Sequence, residues 1–162
     1  MPKAPIMPII HKYDLPPFLL GILSVSAYDK WLNCKADSLR TRDIRLKRPF
    51  PETCSKAIYK QKIHAAILAG GEKDPYTGDA LRWDLVGAWD KTKEALLCLP
   101  PARAGLGKEY FLMPTVDHCD PCADQLNFEI CSWIVNSSKT LMNPQEYVDL
   151  CRKVAGNRQA CA

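Results

Sequence analysis

Residues 110–139 read YFLMPTVDHCDPCADQLNFEICSWIVNSSK. The segment Tyr110 to Val116 is typical of an extended strand, and Pro114 places that strand at an edge or a bulge. Leu126 to Cys131 alternates apolar with polar residues, which predicts a second, half-buried strand. Trp133 to Lys139 has a helical pattern. The stretch therefore predicts two strands followed by a helix.

The polar residues of this stretch have the composition of a phosphodiesterase centre. Asp117 and His118 end the first predicted strand, and Asn127 lies near the start of the second. Cleaving a phosphodiester requires a hard cation held by oxygen ligands, a neutral imidazole that takes a proton from water, and a group that orients the imidazole. These residue types can supply all three, although a histidine that only hydrogen-bonds in a turn is the simpler interpretation of Asp117-His118 alone.

The order of these residues resembles the HNH or ββα-metal endonuclease superfamily. Its members have an Asp-His or His-His pair, then an Asn, then a His or Asn on the helix, here Asn136. Tyr76-Thr77-Gly78 is similar to the turn that opens many such domains, although the CxxC pair often found there is absent. A wider similarity, to uncharacterised bacterial HNH-like proteins, covers residues 30–155.

The resemblance implies a role for each matching residue. His118 would be the general base that deprotonates the attacking water. Asp117 and Asn136 would be the protein ligands of one divalent cation, Mg²⁺ or Mn²⁺, since carboxylate and amide oxygens suit a hard cation. The expected activity is metal-dependent endonucleolytic hydrolysis of nucleic acid, with DNA as the favoured substrate and 5′-phosphate products.

Two further residues complete the implied centre. Asn127 would hold His118 in orientation through a side-chain or backbone hydrogen bond. Asp124 could take that role instead, which would leave Asn127 an ordinary loop residue. Lys139 lies one helical turn after Asn136, so it is expected to point the same way and to contact a phosphate.

Positive charge is concentrated in one region. Residues 30–62 contain ten Lys or Arg against three acidic residues, whereas the formal net charge of the whole chain is +4. Such asymmetry is typical of a polyanion-binding surface, and equally of a solvated helix end. The residues predicted to bind nucleic-acid backbone are Arg40, Arg42, Arg45, Lys47 and Arg48.

The 162 residues predict a single domain of the α+β class. Residues 14–70 form its helical, basic part, and residues 74–155 its HNH-like ββα-metal part. The predicted helices run from Pro16 to Lys35 with a continuation through Arg40–Arg48, from Ser55 to Ala69, from Leu81 to Trp89, and from Asn143-Pro144 to Val154. Asp74 to Gly78 has the composition of a tight turn.

Eight cysteines would suggest disulfides in a small secreted protein, but a chain of this size has an ample core and favours free thiols. Cys119 and Cys122 form a CxxC pair. A structural Zn²⁺ site there would need two more ligands, such as Cys131 or Cys151, and no second CxxC exists. A zinc site is therefore the less favoured interpretation.

The apolar run from Phe18 to Tyr28 is too short to span a membrane, which takes about 20 residues. It has the length of a secretory h-region, but Asp14 followed by two prolines favours a helix start. A cytoplasmic protein without membrane contact is expected.

Two rival functions remain open at this stage. One is a module on the same fold that binds DNA without turnover, which the lack of a third histidine would permit. The other is a zinc-stabilised interaction protein built on Cys119 and Cys122. If the protein cuts both strands of DNA, a homodimer is expected, because a single centre cuts one strand at a time.

Overall fold

The computed structural model describes residues 12–86, 110–120 and 125–159. These residues form the helices α1 (Val25–Arg45), α2 (Phe50–Thr53), α3 (Lys56–Gly70), α4 (Trp133–Lys139) and α5 (Pro144–Gln159), and the strands β1 (Pro114–His118) and β2 (Phe128–Ser132). Within the same ranges the strands pair antiparallel as one sheet, which confirms the α+β class. No helix in these ranges is both long enough and apolar enough to cross a membrane.

Helix α1 begins at Val25, so the predicted start at Pro16 is wrong. Pro17–Leu19 forms only a 3-10 turn, and Gly21 follows it with a positive φ of 79°. Ser24 then has an extended backbone, and its side chain accepts a hydrogen bond from a first-turn N–H at 3.1 Å. Because a serine cap satisfies an otherwise unpaired donor, Ser24 sets the start of the helix rather than the prolines.

Helices α1 and α3 pack against each other and form the main core. The buried stripe of α1 consists of Tyr28, Leu32, Ala36, Leu39 and Asp43. The buried stripe of α3 consists of Tyr59, Ile63 and Ile67. Burying one Leu or Ile side chain contributes roughly 1.5–3 kcal/mol. The last position of the α1 stripe is a carboxylate, which must find partners to be stable there.

Helix α1 ends in a turn that folds the following chain back onto the helix. The Arg48 N–H donates to the Asp43 carbonyl at 3.0 Å, and the Lys47 N–H donates to the Ile44 carbonyl at 3.1 Å. These two bonds define a Schellman motif. Lys47 takes its left-handed position, with φ 54°. The helix therefore ends inside the predicted segment Arg40–Arg48.

Helix α3 confirms the helix predicted from Ser55 to Ala69. The turn predicted at Asp74–Gly78 is also confirmed. Gly78 has φ 77°, and its N–H donates to the Asp74 carbonyl at 2.9 Å. A glycine suits this position because it adopts positive φ without steric cost.

The helix predicted from Leu81 to Trp89 is wrong over its described part, which ends at Val86. The chain forms a 3-10 turn, Trp83–Leu85, and is extended again at Val86. The Arg82 N–H donates to the Leu112 carbonyl at 2.9 Å. Long-range backbone bonding of this kind overrides the apolar spacing that suggested a helix. Trp89 lies outside the described residues.

The predicted pair of strands is confirmed, but both strands begin later than expected. Residues 110–113 approach the start of α4 instead of extending β1. The carbonyls of Met113 and Phe111 accept hydrogen bonds from Trp133 N–H at 2.8 Å and Ile134 N–H at 3.1 Å. These are N–H groups without partners inside the helix, so the segment caps α4.

Helix α4 has the predicted bounds, follows β2 directly and packs against both strands. Helix α5 starts at the predicted Asn143-Pro144. The Asn143 side chain accepts from the Glu146 N–H at 3.0 Å, and the Glu146 carboxylate accepts from the Asn143 N–H at 2.8 Å. This reciprocal pair is a capping box.

Candidate functional site

The imidazole of His118 lies between α1 and the sheet, and both of its ring nitrogens have partners. Nε2 is 3.1 Å from Asp43 Oδ2, and Nδ1 is 3.0 Å from Arg42 Nη2. A guanidinium can only donate hydrogen bonds, so Nδ1 must accept. The ring proton is then on Nε2 and is donated to Asp43. In this hydrogen-bonding arrangement the Nδ1 lone pair of His118 faces Arg42.

Asp43 orients His118, a role that the sequence pattern does not predict for it. The carboxylate is 0% exposed and accepts hydrogen bonds from Tyr59 Oη at 2.7 Å and Arg48 Nη1 at 2.8 Å, besides His118. Burial raises the pKa of Asp43, but the hydrogen bonds from His118, Tyr59 and Arg48 outweigh burial and hold this pKa below its ordinary value. Asp43 is thus a buried anion at neutral pH. The sequence signal was a carboxylate in the apolar stripe of α1.

Two guanidinium groups face the lone-pair side of His118. Arg48 Nη1 lies 3.1 Å from Nδ1, close to the Arg42 contact. The Schellman turn after α1 is what brings Arg48 to this position. Burial lowers the pKa of Arg42, and its Nε atom is buried without a hydrogen-bond partner among the described residues. Arg42 and Arg48 together therefore have hydrogen-bond donors that His118 does not use.

Aromatic rings hold the imidazole in place from two sides. Phe50, the first residue of α2, stacks on His118 with ring centroids 5.9 Å apart and an interplanar angle of 18°. Phe128, opposite His118 across the sheet, meets it edge-on with centroids 5.0 Å apart. His118 is only 2% exposed. The ring has a fixed orientation and little contact with solvent.

Asp117 faces the other side of β1, since successive strand residues point to opposite faces. Its carboxylate is 2.9 Å from Lys139 Nζ, and Lys139 is 1% exposed. The same Nζ lies 3.3 Å from Glu129 Oε1 and 3.3 Å from the His118 carbonyl oxygen. The predicted contact of Lys139 with a phosphate does not fit this burial and pairing. Lys139 is an internal cation that ties α4 to both strands.

The residues predicted to hold a divalent cation do not fit one in this arrangement. The Asp117 carboxylate pairs with Lys139, and the Asn136 amide nitrogen lies 3.4 Å from Thr115 Oγ1. Mg²⁺ needs oxygen ligands at about 2.0–2.1 Å, and the Lys139 ammonium already lies against the Asp117 carboxylate, at 2.9 Å from Oδ2. Within the part of the chain that the structure describes, no group of three or more His, Cys, Asp or Glu side chains is arranged to bind a metal.

Asn127 does not orient the imidazole through a described contact. Its side chain is exposed, and its carbonyl accepts a hydrogen bond from the Cys119 N–H at 3.2 Å. This bond extends the pairing of β1 and β2 past His118. Asn127 therefore supports the end of the strand, while Asp43 takes the orienting role predicted for it. Asp124 lies outside the described residues.

The predicted basic residues divide into two groups. Arg42 and Arg48 are half-buried against His118. Arg40 is half-buried and donates to the Cys54 and Pro51 carbonyls at 3.4 Å each. Arg45 and Lys47 are exposed. The segment is a basic surface in which Arg42 and Arg48 contact the imidazole of His118.

Five of the eight cysteines fall in the described ranges, and all five are free thiols. Cys119 is half-buried, and burial raises its pKa. Cys122 lies outside those ranges, so the structure describes only one half of the CxxC pair. The zinc alternative gains no support from the described residues.

Comparisons of the chain with protein-family models, with curated proteins and with solved structures find no match. The class that the fold defines is an α+β protein with a strand–strand–helix unit. The similarity to HNH endonucleases therefore depends on the sequence pattern alone.

Proposed function

We propose that this chain hydrolyses phosphodiester bonds of nucleic acid, with DNA as the expected substrate, at a centre built around His118. The main support is the combination of a buried Asp43–His118 pair with two guanidinium groups, from Arg42 and Arg48. A buried carboxylate orients a neutral imidazole as a base. Guanidinium groups match phosphate oxygens in bidentate geometry. The β1–β2–α4 order adds support for an HNH-like endonuclease.

In the proposed reaction, a backbone phosphate replaces the imidazole as the acceptor of Arg42 and Arg48. His118 Nδ1 then takes a proton from the attacking water. The water oxygen bonds to phosphorus as the bond to the 3′ oxygen breaks. The 3′ oxygen takes a proton from solvent water, and the proton on His118 is later released to solvent. Asp43 accepts the Nε2 hydrogen bond throughout and stabilises the imidazolium. The products carry a 5′-phosphate and a 3′-hydroxyl.

No step of this proposal passes through Mg²⁺ or Mn²⁺, because Lys139 occupies the space between the oxygens of Asp117 and Glu129. The charge that opposes the phosphate comes from Arg42 and Arg48. Fixed cations aimed at a developing negative charge stabilise the transition state. The predicted metal requirement is tested in the same assay as cleavage.

The test is nicking of supercoiled plasmid by the purified protein in Mg²⁺, in Mn²⁺ and in EDTA. We expect His118→Ala to reduce nicking by roughly 10²–10⁴-fold, the usual contribution of a general base. The matched control is His64→Ala. His64 is half-buried and, like His118, hydrogen-bonded, with its Nδ1 2.7 Å from Tyr28 Oη, but it lies on α3 away from the centre. Equal nicking by the two variants, or products ending in a 3′-phosphate, would exclude the mechanism.

A second candidate is a nucleic-acid-binding module without turnover. The observation that favours it is the 2% exposure of His118, with both ring nitrogens already bonded. Such a module would bind plasmid without nicking it under any of the three conditions. His118→Ala would then retain binding, because Arg45 and Lys47 remain exposed for phosphate contact.

The expected homodimer and the expected cytoplasmic location of the protein stay predictions.

A further inference from the structure

We infer that Lys139 is a built-in cation that closes the Asp117–Glu129 site to divalent metal ions, and that removing its charge opens a metal site there. The inference concerns metal binding by the free protein. It therefore stands or falls separately from the proposed cleavage of nucleic acid.

The geometry around the Lys139 ammonium supports this inference. An ammonium has three donors, and three oxygens surround Lys139 Nζ. They are Asp117 Oδ2 at 2.9 Å, the His118 carbonyl oxygen at 3.3 Å and Glu129 Oε1 at 3.3 Å. Every donor has an acceptor, so the site is complete with the lysine in it.

The negative charges of the two strands also favour a cation at this position. Asp117 and Glu129 are directly opposite each other across β1 and β2, and like charges in that position destabilise a sheet. Tyr76 Oη donates to Glu129 and relieves only part of this repulsion. A positive charge between the two carboxylates therefore stabilises the sheet, and α4 supplies it from its last residue.

The surroundings of Lys139 keep its ammonium group charged. Two carboxylates lie against Lys139 Nζ, from Asp117 at 2.9 Å and from Glu129 at 3.3 Å, and opposite charges this close favour the charged ammonium. The Tyr76 ring lies 5.9 Å from Nζ, a distance at which its face also attracts a cation. A divalent ion and this ammonium cannot share the position, because both need the same oxygens and repel each other.

The test compares the wild type with Lys139→Met, which keeps an unbranched apolar side chain but is one atom shorter and lacks the ammonium and its charge. Melting temperatures are measured with excess Mn²⁺ and with EDTA, and Mn²⁺ binding is titrated by electron paramagnetic resonance. We expect the wild type to melt at the same temperature in both. Lys139→Met should melt lower in EDTA and gain on the order of 5–10 °C when Mn²⁺ is about 100 times its Kd.

Two further variants identify the ligands and control for the loss of a lysine. Adding Asp117→Asn to Lys139→Met should abolish the Mn²⁺ effect. Lys62→Met removes an exposed lysine of α3 and should leave Mn²⁺ binding absent. The inference is overturned if the wild type binds Mn²⁺ and Asp117→Asn removes that binding. It is also overturned if folded Lys139→Met shows no response to Mn²⁺. If Lys139→Met does not fold, Mn²⁺ titration of the wild type and of Asp117→Asn still decides whether the wild-type site is closed to divalent ions.

Discussion

Replacing Asp43 by Asn tests whether the buried carboxylate organises the centre. Asn has nearly the same volume but no charge, and its amide nitrogen cannot accept a hydrogen bond. Asp43 accepts bonds from Tyr59, Arg48 and His118. In the variant at least one of these donors loses its acceptor, and Arg48 loses its counter-charge.

The size of the effect follows from the burial of the carboxylate. Removing one partner of a buried ion pair costs about 3–5 kcal/mol, because the remaining charge is left uncompensated. Each kcal/mol lowers the melting temperature of a chain of this length by roughly 2–4 °C. We therefore expect Asp43→Asn to lower the melting temperature by roughly 6–20 °C. Thermal and urea unfolding, followed by circular dichroism, measure this change.

Asp37→Asn is the matched control. Asp37 lies on the same helix and pairs with Lys56 at 2.6 Å, but its side chain is 59% exposed. Exposed ion pairs contribute roughly 0.2–1 kcal/mol, so this variant should be close to the wild type. Equal losses in the two variants would refute the role assigned to Asp43.

The pH dependence of the same difference is a second check. Because the pKa of Asp43 is lowered in the folded protein, its stabilising contribution is complete above the unfolded value of about 3.9. The contribution is lost as pH falls through the lowered folded value. The gap between the wild type and Asp43→Asn should therefore narrow below about pH 4. A gap that persists unchanged in acid would contradict the reasoning.

Two other predictions concern the basic end of α1. Arg45→Gln should reduce the slope of log binding constant against log salt for plasmid by about 1, since an exposed phosphate contact is lost. Arg152→Gln, an exposed residue of α5, should not change the slope. Lys47→Gly should stabilise the protein by about 1 kcal/mol in urea unfolding, because glycine has no Cβ to strain the left-handed position. Lys47→Ala keeps the Cβ and should show no such gain.

The elements that the sequence predicted well are those fixed by local signals. The bounds of α4, the start of α5 at Asn143-Pro144 and the Asp74–Gly78 turn depend on caps, prolines and glycines within a few residues. The order of β1, β2 and α4 follows from the change of hydrophobic period along residues 110–139. These features could be predicted without knowing the rest of the fold.

The features that the sequence did not predict depend on distant contacts. Asp43 and His118 are far apart in sequence and meet only in the folded chain, where a side chain near the end of α1 contacts the last residue of β1. Arg48 reaches them because Lys47 takes a left-handed backbone, which nothing in its residue type favours. In the same way, the apolar spacing from Leu81 to Trp89 predicts a helix, although a hydrogen bond from the Arg82 N–H to the Leu112 carbonyl holds the described part differently.

The alternation of side chains along β1 bears on the proposed mechanism. The sequence places Asp117 and His118 side by side, which predicts a metal ligand and a general base at one centre. In the fold, Asp117 faces Lys139 on α4, whereas His118 faces Arg42 and Asp43 on α1. In this arrangement the predicted base and the predicted metal ligand therefore have separate partners on opposite faces of β1. Since Arg42 and Arg48 already contact His118 on its own face of β1, the proposed reaction assigns charge stabilisation to these two arginines.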